Sequence, residues 1–128
     1  MTSSVPPSMD PSPEASDCVF CKILSGEAPA RILYRDDRAT AFRDIHPIAR
    51  THILVIPNRH IASVNELIPG DENLVGHLFM VARELALQEG VADAGYRLIV
   101  NTGADSGQTV PHLHLHLIAG KFSRFVIK

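Results

Sequence analysis

The sequence predicts an α+β domain built on an antiparallel sheet. Three observations carry that reading. Short apolar runs rich in β-branched residues recur along the chain, only residues 71–90 show helical periodicity, and two short runs flank Asp36-Asp37 as the arms of a hairpin do. Repeated βαβ units would need a helix between every pair of strands, and neither that alternation nor an internal repeat is present.

Residues 1–16 (MTSSVPPSMDPSPEAS) hold four Pro and five Ser and almost no apolar side chains. Such a segment cannot offset its ordering entropy, so a disordered tail is expected, leaving residues 17–128 as the domain. The tail has neither the basic start nor the apolar run of a signal peptide, which points to a cytoplasmic protein. Residues 18–25 (CVFCKILS) predict one or two helical turns, stopped by Gly26 and Pro29. Residues 31–35 (RILYR) and 39–44 (ATAFRD) predict the hairpin. Residues 52–56 (HILVI) predict a strand that ends at Pro57. Asp71 is placed as the N-cap of the long helix, whose Leu74, Leu78, Val81 and Leu85 recur at three- and four-residue spacing, and Gly90 suits its end. Residues 96–101 (YRLIVN) and 112–118 (HLHLHLI) predict two further strands.

The bulk numbers exclude several classes of function. A chain of 128 residues is one domain and can bury a core without disulfides. Twelve Lys and Arg against fourteen Asp and Glu give a net charge of −2, without the positive excess of nucleic-acid binding. No run approaches eighteen apolar residues, so no membrane span is expected.

The chemistry concentrates near the C-terminus. His112, His114 and His116 alternate strictly with Leu113, Leu115 and Leu117. A strand's period of two puts the leucines on a core and the imidazoles on the opposite surface, at successive spacings of roughly 7 Å. Three such rings can supply a nucleophile, its orienting partner and a proton donor. A three-His metal site and a merely solvated strand are the alternatives. The preceding loop, Asn101–Thr109, carries Gly103 and Gly107, which allow positive φ, so its backbone amides can form an anion-binding nest. It is not a Walker A loop: the spacing is one residue short and Gln108 stands where Lys is required. An imidazole beside a bound phosphate argues for substitution at phosphorus through a phospho-histidine. Separately, Cys18 and Cys21 form a C-x-x-C that is redox-active, metal-binding or incidental; two more ligands would be needed to close a zinc tetrahedron.

The segment HLHLHLI, with DCVFCKILSGEAPA, AFRDIHPIARTHILVIPNRHI and VNTGADSGQTVPHLHLHLIAG, resembles the histidine-triad (HIT) family over about residues 17–120. Within it the likeness is to the Hint-like branch of purine nucleoside phosphoramidases. The resemblance implies a five-stranded antiparallel sheet with one long and one short helix, paired into a homodimer with a continuous sheet. It implies cleavage of nucleoside 5′-monophosphoramidates (AMP or GMP conjugates) through a nucleotidyl-histidine. His114 falls on the nucleophile, His116 on its partner at the leaving group, and His52 on the upstream histidine. Asn101, Gly107, Gln108 and Thr109 fall on the phosphate side, Asp44 on the ribose carboxylate, and Phe20, Phe42 and Ile45 on the base pocket. Zinc-type bacterial members and galactose-1-phosphate uridylyltransferases share a layout that would put structural Zn²⁺ on Cys18, Cys21, His60 and His112. His112 would then take no part in catalysis, which needs no cofactor. His46 and His77 match nothing in the family. Pro111 replaces a bulkier residue, and the ending KFSRFVIK lacks the family's Trp-Pro-Pro, which bears on leaving-group choice. The rivals are a dinucleoside polyphosphate hydrolase with the same nucleophile, a low-turnover nucleotide-binding or interaction module, and a zinc-stabilised scaffold.

Overall fold

A computed structural model describes residues 17–120; the expected tail, 1–16, and the ending, 121–128, lie outside the described residues. The element order is α1 (Val19–Ser25), β1 (Ile32–Arg35), β2 (Ala39–Arg43), β3 (Thr51–Pro57), α2 (Glu72–Gln88), β4 (Arg97–Ile99) and β5 (Leu115–Ala119). Three single 3₁₀ turns lie in the connections. The five strands form one antiparallel sheet, as expected, and their order is β1-β2-β3-β5-β4. Among the described residues no helix is long and apolar enough to cross a membrane.

The hairpin forms because Asp36 caps its turn, its Oδ1 accepting the backbone N–H of Arg38 and Ala39 at 2.7 and 2.8 Å. β3 is central and buried along its whole length, which is why it reads as a continuous apolar run rather than an alternation. One face of the sheet packs on α2: Ala41, Ile53, Val55, Leu115 and Leu117 meet Leu78, Val81, Ala82, Leu85 and Ala86. The other face carries a smaller cluster of Cys18, Phe20, Ile23, Phe42, Leu54 and Ile56, with α1 lying on it.

Three expectations are corrected. Asp71 sits at the N-cap position of α2, but its carboxylate accepts from Arg59 and from the backbone N–H of Ile68 instead of capping. β4 covers three residues, because Asn101 leaves the ladder and its side-chain amide turns to the Ser106 carbonyl, 2.7 Å away. β5 starts at Leu115, not at residue 112. Its partner β3 ends at Pro57, which has no N–H to donate, and Leu113 N–H bonds the Ile61 carbonyl in the connection beyond.

Candidate active site and metal centre

The period-two argument survives the shorter ladder. Leu113, Leu115 and Leu117 all point into the α2 core. The histidines take the opposite face, but they are not displayed to solvent: His112 is 0% exposed and His114 7%. Phe20 from α1 lies over them, edge-on to His114 with centroids 5.1 Å apart and to His112 at 5.9 Å. Register sets the neighbours of His116. Leu54 and Ile99 stand opposite it on β3 and β4, so both share its face.

Hydrogen bonds fix the tautomers. His114 Nδ1 lies 2.7 Å from the His112 carbonyl, which can only accept, so the ring proton is on Nδ1 and Nε2 keeps a lone pair. His52 Nδ1 accepts the backbone N–H of Ile48 at 3.2 Å, so neutral His52 carries its proton on Nε2. That proton faces His116 Nδ1 at 3.0 Å, with the Asp44 carboxylate 3.3 Å away. His116 Nδ1 therefore accepts, and His116 Nε2 carries a proton as a donor. The rings are neutral at neutral pH. Burial pushes His116 down to about 4, helped by His114 and His52, and burial also lowers His114 and His52. One open nitrogen and one N–H donor thus stand side by side, with the His114 and His116 rings 4.9 Å apart.

Two clefts meet at His116. The first, about 430 Å³, includes Phe20, Ile23, Phe42 and Ile45 with Asp44, Thr109, His114 and His116. The second, also about 430 Å³, includes Ile48, Ile99 and Ile118 with Asp44, His52, Asn101, Thr109 and His116. Asp44 and Thr109 belong to both, and so does His46, whose backbone N–H bonds Asp44 Oδ1 at 2.9 Å. Sequence alone assigns no role to His46, Ile48, Ile99 or Ile118: Ile99 is placed by its cross-strand register to His116 and Ile48 by a loop, whereas Ile118 shares the period-two face of the histidines.

The loop behaves differently from the expected nest. Gly103 and Gly107 do take positive φ, +84° and +95°. The amides of Ser106, Gly107 and Gln108, however, bond carbonyls within the loop. The Gln108 side chain accepts from Gly103 N–H at 2.8 Å and donates to the Ala62 and Val110 carbonyls. Gln108 and Gly107 line neither cleft. His77 is not an idle surface residue either: its Nε2 is 2.6 Å from Asp36 Oδ2, clamping α2 to the hairpin turn.

Behind Phe20, Cys18, Cys21, His60 and His112 bring one ligand atom each within 4.8 Å of one another. Sulfur-to-nitrogen separations are 3.4 Å for Cys18–His112, 3.3 Å for Cys21–His60 and 3.6 Å for Cys21–His112. A zinc tetrahedron with the usual bond lengths sets neighbouring S and N about 3.5 Å apart, so the donor set and its spacing fit. The Pro57 carbonyl, 2.9 Å from His112 Nε2, holds the proton there and leaves Nδ1 free to ligate. Without metal, burial and then Cys18 push the Cys21 thiol up to about 12.

Comparison with known proteins agrees with this geometry. The HIT domain family matches residues 25–123. The purine nucleoside phosphoramidase of Escherichia coli strain K12 is 49% identical over 107 residues, covering 84% of this chain and 90% of that protein. A HIT family hydrolase from Legionella pneumophila superposes with a TM-score of 0.81 at 43% identity, covering 85% of this chain and 97% of that one. A HIT family hydrolase from Clostridium thermocellum gives 0.82 at 43% identity, covering 88% and 97%. Triad, clefts and likeness lead to one conclusion: the chain belongs to the HIT family.

Proposed function

We propose that this HIT-family hydrolase cleaves nucleoside 5′-monophosphoramidates through a nucleotidyl-histidine. The observation that carries the reading is the fixed tautomer pair, a lone pair on His114 Nε2 beside an N–H on His116 Nε2. The purine lies in the apolar first cleft, against Phe20, Phe42 and Ile45, with Asp44 toward the ribose. Thr109 and Asn101 hold the phosphate oxygens, while Gln108 braces the loop. His114 Nε2 attacks the α-phosphorus and the P–N bond breaks; the departing nitrogen, hydrogen-bonded by His116 Nε2–H, takes up a solvent proton and leaves as the amine. Water then attacks phosphorus, releases a proton to solvent, and frees the nucleoside monophosphate and His114. Donors on the cleft-lining Thr109 and Asn101 would stabilise the phosphate's developing charge.

The second cleft favours an amine over a polyphosphate leaving group. Among the described residues no Lys or Arg lines it, and its walls are Ile48, Ile99 and Ile118. A departing nucleoside polyphosphate carries several negative charges and calls for cations. The 49% identity to a purine nucleoside phosphoramidase supports the same choice. Cys18, Cys21, His60 and His112 would hold structural Zn²⁺, which supplies cross-linking and no step of the reaction. A homodimer that continues the sheet would form along β4, an edge strand followed by exposed Val100.

Rapid-quench mass spectrometry with adenosine 5′-phosphoramidate tests the central step. The expected result is an AMP adduct on His114, absent from His114→Ala. Neither adduct nor burst, in protein that binds AMP, would leave a low-turnover nucleotide-binding module.

A further inference from the structure

The candidate metal centre and the base cleft are built from the same two segments. Cys18 caps α1 and Cys21 lies in its first turn. The residues between them, Val19 and Phe20, both line the base cleft. The Phe20 ring is edge-on to Phe42, His112 and His114, with centroids 5.4, 5.9 and 5.1 Å away. One side chain thus touches the metal-ligand set, the cleft wall and the nucleophile. A second link runs through His112, which turns Nδ1 to the thiols and its carbonyl to His114 Nδ1. The helix joining these groups is only seven residues long and buries just Phe20 and Ile23. So short a helix does not hold itself in water; its seat on the sheet comes from what it packs against and what ties down its thiols.

We infer that a divalent metal on Cys18, Cys21, His60 and His112 and a purine nucleotide in the cleft bind cooperatively, with Phe20 and His112 as the coupling residues. The inference rests on the nucleotide reading above. Drawing both thiols onto the imidazoles seats α1, and with it the wall of Val19, Phe20 and Ile23. A purine packed on that wall favours the same seated helix. Whatever free energy one ligand contributes to the seated state is returned as tighter binding of the other, and the two factors are equal.

The test titrates zinc-loaded protein with a colorimetric chelator, without nucleotide and with saturating AMP, while calorimetry reads AMP binding separately. AMP is expected to tighten zinc retention about tenfold, and stripping zinc to weaken AMP by the same factor. Phe20→Leu keeps all four ligands. It is expected to hold zinc as the wild type does without AMP and to lose most of the coupling at saturating AMP. Identical chelator curves with and without AMP, in protein that calorimetry shows to bind AMP, overturn the inference and leave the nucleotide reading standing. No AMP binding to zinc-loaded protein overturns both. Should the stripped protein unfold, AMP would protect zinc through folding alone, and Phe20→Leu then decides: full coupling in that variant overturns the inference.

Discussion

His52 Nε2 lies 3.0 Å from His116 Nδ1. The pair spans β3 and β5, and its direction is set from outside, by the Ile48 N–H on the far nitrogen of His52. His52 is therefore a positioning residue that keeps the proton of His116 on Nε2.

Replacing His52 by Ala removes that constraint without touching the nucleophile. Turnover should fall by about 10- to 100-fold, at or below the lower end of what a positioned proton-transfer group contributes. The loss should grow with the basicity of the departing amine, because the worst leaving groups depend most on the proton. Single-turnover rates across a series of adenosine phosphoramidates measure this. A loss independent of the amine would mean that His52 acts on the nucleophile or on folding.

The lowered histidine pKa values fix the acid limb of the activity profile. Burial pushes His116 down to about 4 and also lowers His114 below the ordinary value of about 6.5. In the free enzyme, the acid limb of kcat/KM should therefore be centred below about 6.5. Stability follows the same sign: the unfolded chain binds protons below about 6.5 while the folded rings resist them, so these histidines stabilise the fold above that pH and lose that contribution as pH falls toward 4. A kinetic limb centred at or above 6.5 would show that burial does not lower the pKa of these rings.

Removing the metal should act first on stability. Cys18 is 2% exposed and contacts His112, so Cys18→Ser breaks the ligand set in a buried position. Native mass spectrometry should show one zinc in the wild type and none in the variant. Scanning calorimetry should show Tm lowered by about 10–20 °C, the size expected if the metal contributes about 3–5 kcal/mol to a domain of this length. Equal metal content in both proteins would refute the ligand assignment.

How much of this was legible in the sequence depends on how local each signal is. The alternation of His112, His114 and His116 with leucines needs only the period of an extended chain, so it holds even where no ladder forms. The Cys18–Cys21 spacing is equally local. The ends of β4 and β5 depend on partners outside each strand: the Ser106 carbonyl, five residues beyond Asn101, for β4, and Pro57 at the end of β3 for β5. Gln108 has the chemistry of a phosphate ligand, but its amide is taken by carbonyls 46 and 2 residues away. The His77 contact to Asp36 crosses 41 residues and leaves no periodic trace.

Asp36 is the point at which that long-range contact can be tested. Its Oδ1 accepts two backbone N–H groups of the turn, and its Oδ2 receives the Tyr34 hydroxyl at 2.5 Å and His77 Nε2 at 2.6 Å. Burial pushes the carboxyl up, but the Tyr34 hydroxyl, the Arg38 and Ala39 amides and His77 outweigh it and hold it well below the usual range. Because the folded pKa is depressed, this contribution is intact above about pH 4 and is lost only in stronger acid. Asp36→Ala should therefore cost about 1–3 kcal/mol at neutral pH by leaving those donors unmatched. His77→Ala should cost less, since the carboxylate keeps its turn amides. Urea unfolding of the two single variants and the double variant gives the coupling between hairpin and helix. Strict additivity would mean that the two side chains do not work together, and that α2 is held by its apolar face alone.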